Sequence, residues 1–497
     1  MGSNISKPQV PTTAVADAHV DEKRPVVVSH DQHTSPALSA DGGLTRSNIA
    51  RWESSVEDKP HLTLARTILQ HSDIREALQS RASHIAQSHV FNTEVAFKSG
   101  PITNQKSSGR CWLFATTNVL RHSVMSKLKL KEFELSQGYL FFYDKLNKAN
   151  YYLELMIQHA DLPVDDRLIQ HLSGDLISDG GQWDMAVNLL ETYGVVPQAV
   201  FPESFHSSLS GPLNKLLKTK LREHALILRS LHTDLASSSL SSADQLSTLR
   251  AKKEELMREV YTIMSATLGV PPSPEAPFTW DYYDADDKAH SYTGTPREFY
   301  AAHSGKYAAT DSFSLIHDPR NDFGKLYTVD KLGNVWGGRP VLYVNTEIAD
   351  LKAAALTCLR AGIPVFFGCD VGQFSENTRG IMDTALYPPS SYADAFNVTL
   401  GLTKAQRVTM GESQMTHAMV LAGAHVEDGK AVRWKVENSW GADRGDKGWF
   451  VMSDAWFDEF VFQVVVPKAL APKELVKIFE GTERTVLPPW DPMGSLA

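Results

Sequence analysis

The stretch Gln105-Lys106-Ser107-Ser108-Gly109-Arg110-Cys111-Trp112-Leu113-Phe114-Ala115 sets one cysteine, with Gly and Trp close by, at the start of what reads as a helix running to about residue 128. A thiolate is stabilised by the partial positive charge at a helix N-terminus. A glutamine six positions earlier has an amide able to donate a hydrogen bond to a developing oxyanion. The stretch therefore reads as chemistry as well as packing: Cys111 as nucleophile, with Gln105 beside it.

Two downstream motifs complete that chemistry. His417 lies in Met415-Thr416-His417-Ala418-Met419-Val420-Leu421, and Asn438 in Val436-Glu437-Asn438-Ser439-Trp440-Gly441. A cysteine nucleophile needs an imidazole to share its proton and a third group to orient the imidazole. His417 and Asn438 fit those roles, and Trp440 is placed to shield the Asn–His hydrogen bond from water. Taken singly, a Cys or a His is more often an ordinary core residue. Four complementary groups in one chain order shift the weight to catalysis.

Asn-Ser-Trp-Gly and Gly-x-Cys-Trp resemble the papain-like cysteine peptidases. Longer runs are similar to the bleomycin hydrolase branch of that superfamily: Thr103 to Ala115, Asp179-Gly180-Gly181-Gln182-Trp183-Asp184-Met185, Tyr139 to Lys145, and the ending Pro489-Trp490-Asp491-Pro492-Met493-Gly494. The likeness covers roughly residues 50 to 497. It implies an α+β, papain-like two-lobed fold, with a helical lobe, a β-barrel-like lobe and a large helical insertion. Two departures are informative. Secreted relatives carry a second Cys three positions before the nucleophile; here that residue is Ser108. The spacing from Cys111 to His417 is 306 residues (417 − 111), about twice the roughly 130–150 of the secreted type. Material has been inserted between the two halves of the site.

Composition bounds the rest. The 497 residues are 42% hydrophobic and 22% charged with a net charge of −9, an ordinary globular balance that gives no global attraction to nucleic acid. Three cysteines, Cys111, Cys358 and Cys369, are too few and odd for a disulfide framework, which favours a reducing, cytoplasmic location. Cys358 and Cys369 sit in apolar runs and read as buried and structural. No His/Cys spacing implies a metal, and no cofactor is called for. No apolar run has the length of a membrane span, and no secretory leader is evident. Asp17, Asp21 and Glu22 count against a mitochondrial presequence without closing off a mitochondrial pool. Met-Gly-Ser-Asn-Ile-Ser fits the N-myristoylation pattern and nominates Gly2 for a weak membrane tether; the same letters arise by chance or as a cloning remnant.

Along the chain, residues 1–45 read as a disordered extension rich in Ser, Thr, Pro and His. Residues 46–205 read as the helical lobe with the nucleophile, including a helical stretch over about 60–90 marked by Leu62, Leu64, Ile68, Leu69, Ile74 and Leu78. Residues 206–275 read as a helical hairpin. One stripe runs through Leu216, Leu217, Leu221, Ala225, Leu228 and Leu231, and a second through Leu246, Leu249, Leu256, Met257, Val260, Ile263 and Met264. Ser242 with Gln245 has the pattern of a capping box at the second helix. Residues 276–486 read as the β-rich lobe, with strands from about 335. His417 is expected to open one strand and Asn438 to end the next, so that an antiparallel pair brings them together. Residues 487–497 hold three prolines and read as a stiff arm.

The resemblance supplies further expectations. Gly180 and Gly181 line one wall of the cleft, where paired glycines let backbone approach a substrate; the plainer reading is a tight loop before a helix. The C-terminal arm lies in the chain's own cleft, and the carboxylate of Ala497 pairs with a substrate α-amino group. Aminopeptidase action on peptides follows, with hydrolysis of bleomycin and homocysteine thiolactone and assembly as a homohexamer around an enclosed channel. Arg110 reads either as support for the thiolate or as a residue that faces solvent or pairs elsewhere. The alternatives are an open-cleft endopeptidase and, against the net charge, a nucleic-acid-binding hexameric scaffold.

Overall fold

The computed structural model describes residues 42–57, 59–95 and 100–496. Gly2, Ala497 and nearly all of the 1–45 extension lie outside the described residues. The described residues divide into two units that part between Ile68 and Leu69. The first holds α1 (Arg46–Glu57) and most of α2 (Pro60–Leu69), neither of which buries a residue.

The helical stretch expected over 60–90 is three helices, not one. After α2, Asp73 accepts the Arg75 N–H and starts α3 (Ile74–Ala77), and Ser80 accepts the Ser83 N–H and starts α4 (Arg81–Ala86). Each side-chain cap satisfies an N–H that a continuous helix would have bonded internally, so the apolar period runs on while the backbone breaks. β1 (Thr93–Glu94) follows.

Next come α5 (Cys111–Leu128), α6 (Gln137–Gln158), α7 (Arg167–Gly174), α8 (Trp183–Tyr193) and α9 (Phe205–Ser208). The hairpin is α10 (Gly211–Ala236) and α11 (Ser242–Leu268), packed on each other and on α6. Its inner stripe holds Leu213, Leu217, Leu221, Ala225 and Leu228 facing Leu249, Leu256, Val260 and Met264; Leu216 and Leu246, expected inside, are exposed. The cap of α11 is Ser241, one residue before the expected Ser242: its hydroxyl accepts the Asp244 N–H at 3.2 Å, and Gln245 bonds back to the Leu240 carbonyl instead. A charged cluster rivets the hairpin to α6. Glu154, buried, accepts from Lys253 Nζ at 2.7 Å and from Arg250 Nη2 at 3.0 Å.

A two-stranded hairpin, β2 (Phe278–Tyr283) and β3 (Ala289–Gly294), precedes α12 (Pro296–His303). These strands start well before residue 335. They join the helical core, with Phe278 and Trp280 packing on Phe299 and Trp280 on Phe133.

The main sheet is built from β4 (Ser312–Ile316), β5 (Lys325–Val329), β6 (Tyr343–Asn345), β7 (Val365–Cys369), β8 (Ser375–Glu376), β9 (Ile381–Met382), β10 (His417–Glu427), β11 (Lys430–Glu437), β12 (Trp449–Ser453), β13 (Val461–Pro467) and β14 (Thr485–Leu487). Its path is β14-β5-β6-β4-β13-β7-β10-β11-β12-β9-β8, an open order in which β1 adds to β10. α13 (Ile348–Arg360) covers one face, and its Leu351, Ala355, Cys358 and Leu359 join Phe367, Cys369, Trp434 and Val464 in a second core. All three cysteines are buried and free. Among the described residues, no helix is long and apolar enough to cross a membrane.

Replacing Glu154 by Ala leaves the Lys253 ammonium buried, with Asn150 and the looser, exposed Glu254 carboxylate at 3.4 Å to partner it. Removing one partner of a buried pair typically costs about 3 kcal/mol or more. We expect Glu154→Ala to lower the melting temperature and to speed amide exchange across Gly211–Leu268 more than across α5. Unchanged exchange in the hairpin would contradict this role for Glu154.

Candidate active site

Cys111 is the first residue of α5, so its own N–H and that of Trp112 point toward its sulfur without an intrahelical partner. The side chain is 2% exposed. Burial pushes the thiol up to about 11, against the lowering effect of the backbone N–H groups around it. Arg110 does not support the thiolate, nor does it face solvent. Its guanidinium is fully buried, paired with Glu203 at 2.8 Å and bonded to Ser108 Oγ at 2.9 Å, between the rings of Phe114 and Phe141. Ser108, where a disulfide would start in secreted relatives, donates to the Gln105 carbonyl at 2.6 Å. The loop before Cys111 is thus cross-braced by polar contacts.

His417 is the first residue of β10, paired with Cys369 of β7, and Asn438 follows the last residue of β11. The antiparallel β10–β11 register brings the two together across 21 residues (438 − 417). His417 Nε2–H donates to Asn438 Oδ1 at 2.9 Å. The Trp440 ring stacks on the imidazole, with centroids 4.8 Å apart. Burial drives the imidazole down to about 4, opposed only by the Asn438 bond.

Gln105 is fixed to the Asn438 turn. Its N–H donates to the Ser439 carbonyl at 2.8 Å, its Oε1 accepts from Ser439 Oγ at 2.7 Å, and Nε2 donates to the Ser108 carbonyl at 2.7 Å. One Nε2 hydrogen stays uncommitted by these contacts. A second tie joins the same parts: Arg121 of α5 forms a buried ion pair with Glu437, the residue before Asn438.

Gln105, Cys111 and His417 line one cavity of about 890 Å³. Gly180 lines it too. Gly181 lies behind the wall, where a methyl group would stand 2.5 Å from the Trp112 indole. The wall is held by residues that the sequence reading left without a role. Asp179 accepts from the Gly109 N–H at 3.0 Å, from Asn214 Nδ2 at 2.8 Å and from Ser210, and pairs with Lys145 at 2.6 Å. Its carbonyl accepts the Trp112 indole N–H at 2.7 Å. Burial works against the Asp179 carboxylate, but Lys145 and these donors outweigh it and hold the group well below the usual range. Lys148 takes the Ser178 and Gly180 carbonyls at 3.0 and 2.6 Å. The available signal was charge inside an apolar helix: Asp144, Lys145 and Lys148 interrupt the buried face of α6.

The C-terminal segment enters the same cavity, with Pro489 to Pro492 and Gly494 to Leu496 on its lining. The Ser495 carbonyl accepts from Gln182 Nε2 at 2.7 Å, and Ser495 Oγ donates to the Met415 carbonyl at 2.6 Å. Ala497 lies outside the described residues.

Residues 43–494 match the Peptidase C1-like family. The chain is 42% identical to Cysteine proteinase 1, mitochondrial, of Saccharomyces cerevisiae over 91% of its own length and 92% of the relative's. It is 41% identical to Aminopeptidase C of Listeria monocytogenes, covering 91% and 99%. The crystal structure of PepW from a Lactobacillus matches with a TM-score of 0.86 and 42% identity, over 92% of this chain and 100% of that one. The spatial order of Gln105, Cys111, His417 and Asn438 and this end-to-end likeness have one common explanation: the chain belongs to the Peptidase C1-like family.

Proposed function

We propose that the protein is a cysteine aminopeptidase of the bleomycin hydrolase type. The observation that carries the reading is the chain's own C-terminal arm, which lines the cavity of Cys111 and His417 and is bonded there through Ser495. A cleft occupied on one side by its own chain suits a substrate that ends there. The carboxylate of Ala497 is assigned to the substrate α-amino group. Gly180 serves as the backbone wall, with Gly181 behind it letting the Trp112 indole pack close. The names of the bacterial relatives, Aminopeptidase C, agree with this reading.

In the mechanism, the Cys111 proton passes to His417 Nδ1, because Nε2–H is committed to Asn438. The sulfur attacks the scissile carbonyl, and the oxyanion is met by the Cys111 N–H and the uncommitted Gln105 Nε2 hydrogen. His417 then protonates the leaving amine, and water releases the acyl group. Burial disfavours either charge alone: the thiol stands at about 11 and the imidazole at about 4. Moving the proton within the pair creates both charges together, so each offsets the other's loss of hydration. Trp440 keeps water from the Asn438 bond.

Small amide and thiolactone substrates, bleomycin and homocysteine thiolactone among them, are assigned by the same chemistry. A reducing cytoplasm suits a chain whose three thiols are free. A homohexamer is part of the reading, with the exposed Leu216, Leu226 and Ile227 of α10 available for subunit contacts. Acylation of Gly2 stays a separate proposal, read out by the intact mass of the native protein.

The first test uses one fluorogenic peptide with its amino group free or acetylated. The free form should be cleaved from its N-terminus and the acetylated form left intact; Cys111→Ala should cleave neither. Comparable cleavage of both forms by the wild type would instead favour the open-cleft endopeptidase.

The second test follows iodoacetamide alkylation of Cys111 against pH. His417→Ala should lose reactivity at neutral pH and regain it only as the pH climbs toward about 11, where the lone buried thiol ionises. The wild type should react well below that pH. Identical profiles would remove His417 from proton exchange with Cys111.

A further inference from the structure

The C-terminal arm has an outer fastening, away from the Ser495 contacts. Arg320, on the loop after β4, donates Nε to Asp318 Oδ1 at 2.9 Å and Nη2 to Asp318 Oδ2 at 2.8 Å. Asp318 is 1% exposed and is itself held by Asn345 and Asn321. The guanidinium is therefore fixed before the arm arrives. Its Nη2 also reaches Asp491 Oδ1 at 2.9 Å. That same oxygen accepts the Met493 N–H at 2.8 Å and caps the short turn Pro492–Gly494. The turn sends Ser495 and Leu496 along the cavity. On the preceding residue, the Arg167 guanidinium lies 3.7 Å from the centroid of the Trp490 ring.

We propose that Arg320, braced by Asp318, is a specificity-determining positioning residue: by gripping Asp491 it holds the C-terminal arm in the cleft and so decides whether the site admits chain ends or chain interiors. This rests on the aminopeptidase reading above and deepens it. The Arg320 and Asp491 side chains are 16% and 12% exposed, so the pair is shielded from the solvent screening that makes most surface ion pairs weak. A pair that merely added stability would have no reason to use the oxygen that shapes the turn into the active site. The inner contacts at Met493 and Ser495 are neutral hydrogen bonds, accepted from Tyr343 at 3.3 Å and from Gln182, and donated to Met415. The charged contact at Asp491 is the one that sets the direction in which those residues leave the turn.

The test uses the full chain and two probes, a fluorogenic aminoacyl amide with a free amino group and an acetylated, internally quenched peptide. Arg320→Met and Asp491→Asn are compared with wild type and with a chain lacking Met493 to Ala497. Asparagine keeps an oxygen for the Met493 N–H and removes the charge. Each single variant should raise the ratio of internal to N-terminal kcat/KM at least 10-fold, toward the truncated chain, with KM for the free-amino probe rising more than kcat falls. The double variant should go no further than either single one, and Arg320→Lys should recover part of the wild-type ratio. A lowered melting temperature with an unchanged ratio would overturn the proposal, as would truncation opening the cleft while neither point variant does. If truncation itself brings no internal cleavage, the reading of the arm fails, and this inference with it. Should Arg320→Met fail to fold, Asp491→Asn decides the matter alone.

Discussion

Lys145 and Asp179 meet at 2.6 Å in the interior, and the cleft is assembled around that contact. The carboxylate gathers the Gly109 N–H from the loop before Cys111 and two side chains from the start of the hairpin, while the Asp179 carbonyl holds the Trp112 indole. Four stretches far apart in sequence thus share one charged centre. Such a centre is costly to leave half-made, because a lone buried charge loses its hydration without replacement. The ammonium gives up part of its basicity to burial, while the carboxylate stays firmly ionised. The Cys111 loop, the Gly180 wall and the hairpin are therefore set in place together.

Polar bracing of this kind also holds the loop before Cys111. Ser108 links the Gln105 carbonyl to Arg110, and Arg110 passes the tie to Glu203. Arg121 and Glu437 repeat the device between α5 and the turn that carries Asn438. A cavity-lining thiol such as Cys111 stays available only while reduced, and scaffolding by polar contacts adds no thiol that could pair with it. Cys358 and Cys369, both buried, add nothing that exchanges easily.

Local patterns made much of this legible in the sequence. The helix α5 begins at Cys111, and the β10–β11 pair brings His417 to Asn438, because helix and strand periods are short-range signals. The hairpin followed from two apolar stripes. What escaped the sequence was of two kinds. Caps and breaks hinge on single side chains: Asp73 and Ser80 divide an apolar period that runs on unbroken, and Ser241 takes the cap from its neighbour Ser242. Charge pairs closed by the fold have no local signature. Nothing near Arg110 names Glu203, and nothing near Lys145 names Asp179. The β2–β3 hairpin did leave a trace, in the alternation of Phe278, Trp280 and Tyr282, but its aromatics pack with the helices instead of the main sheet.

Ser495 is gripped by Gln182 on the helical side and by Met415 in the segment that leads into β10, so one short segment of the arm bridges both walls of the cleft. A tethered occupant of this kind acts as a competitor that never diffuses away. Its binding is intramolecular, so it competes at an effective concentration set by how well its attachment points match the cleft. An extended inhibitor that needs those positions must overcome it, whereas a compact one that reaches Cys111 from the open side does not. Selectivity among cysteine-reactive compounds would accordingly be set more by how far a molecule extends along the cleft than by the reactivity of its warhead.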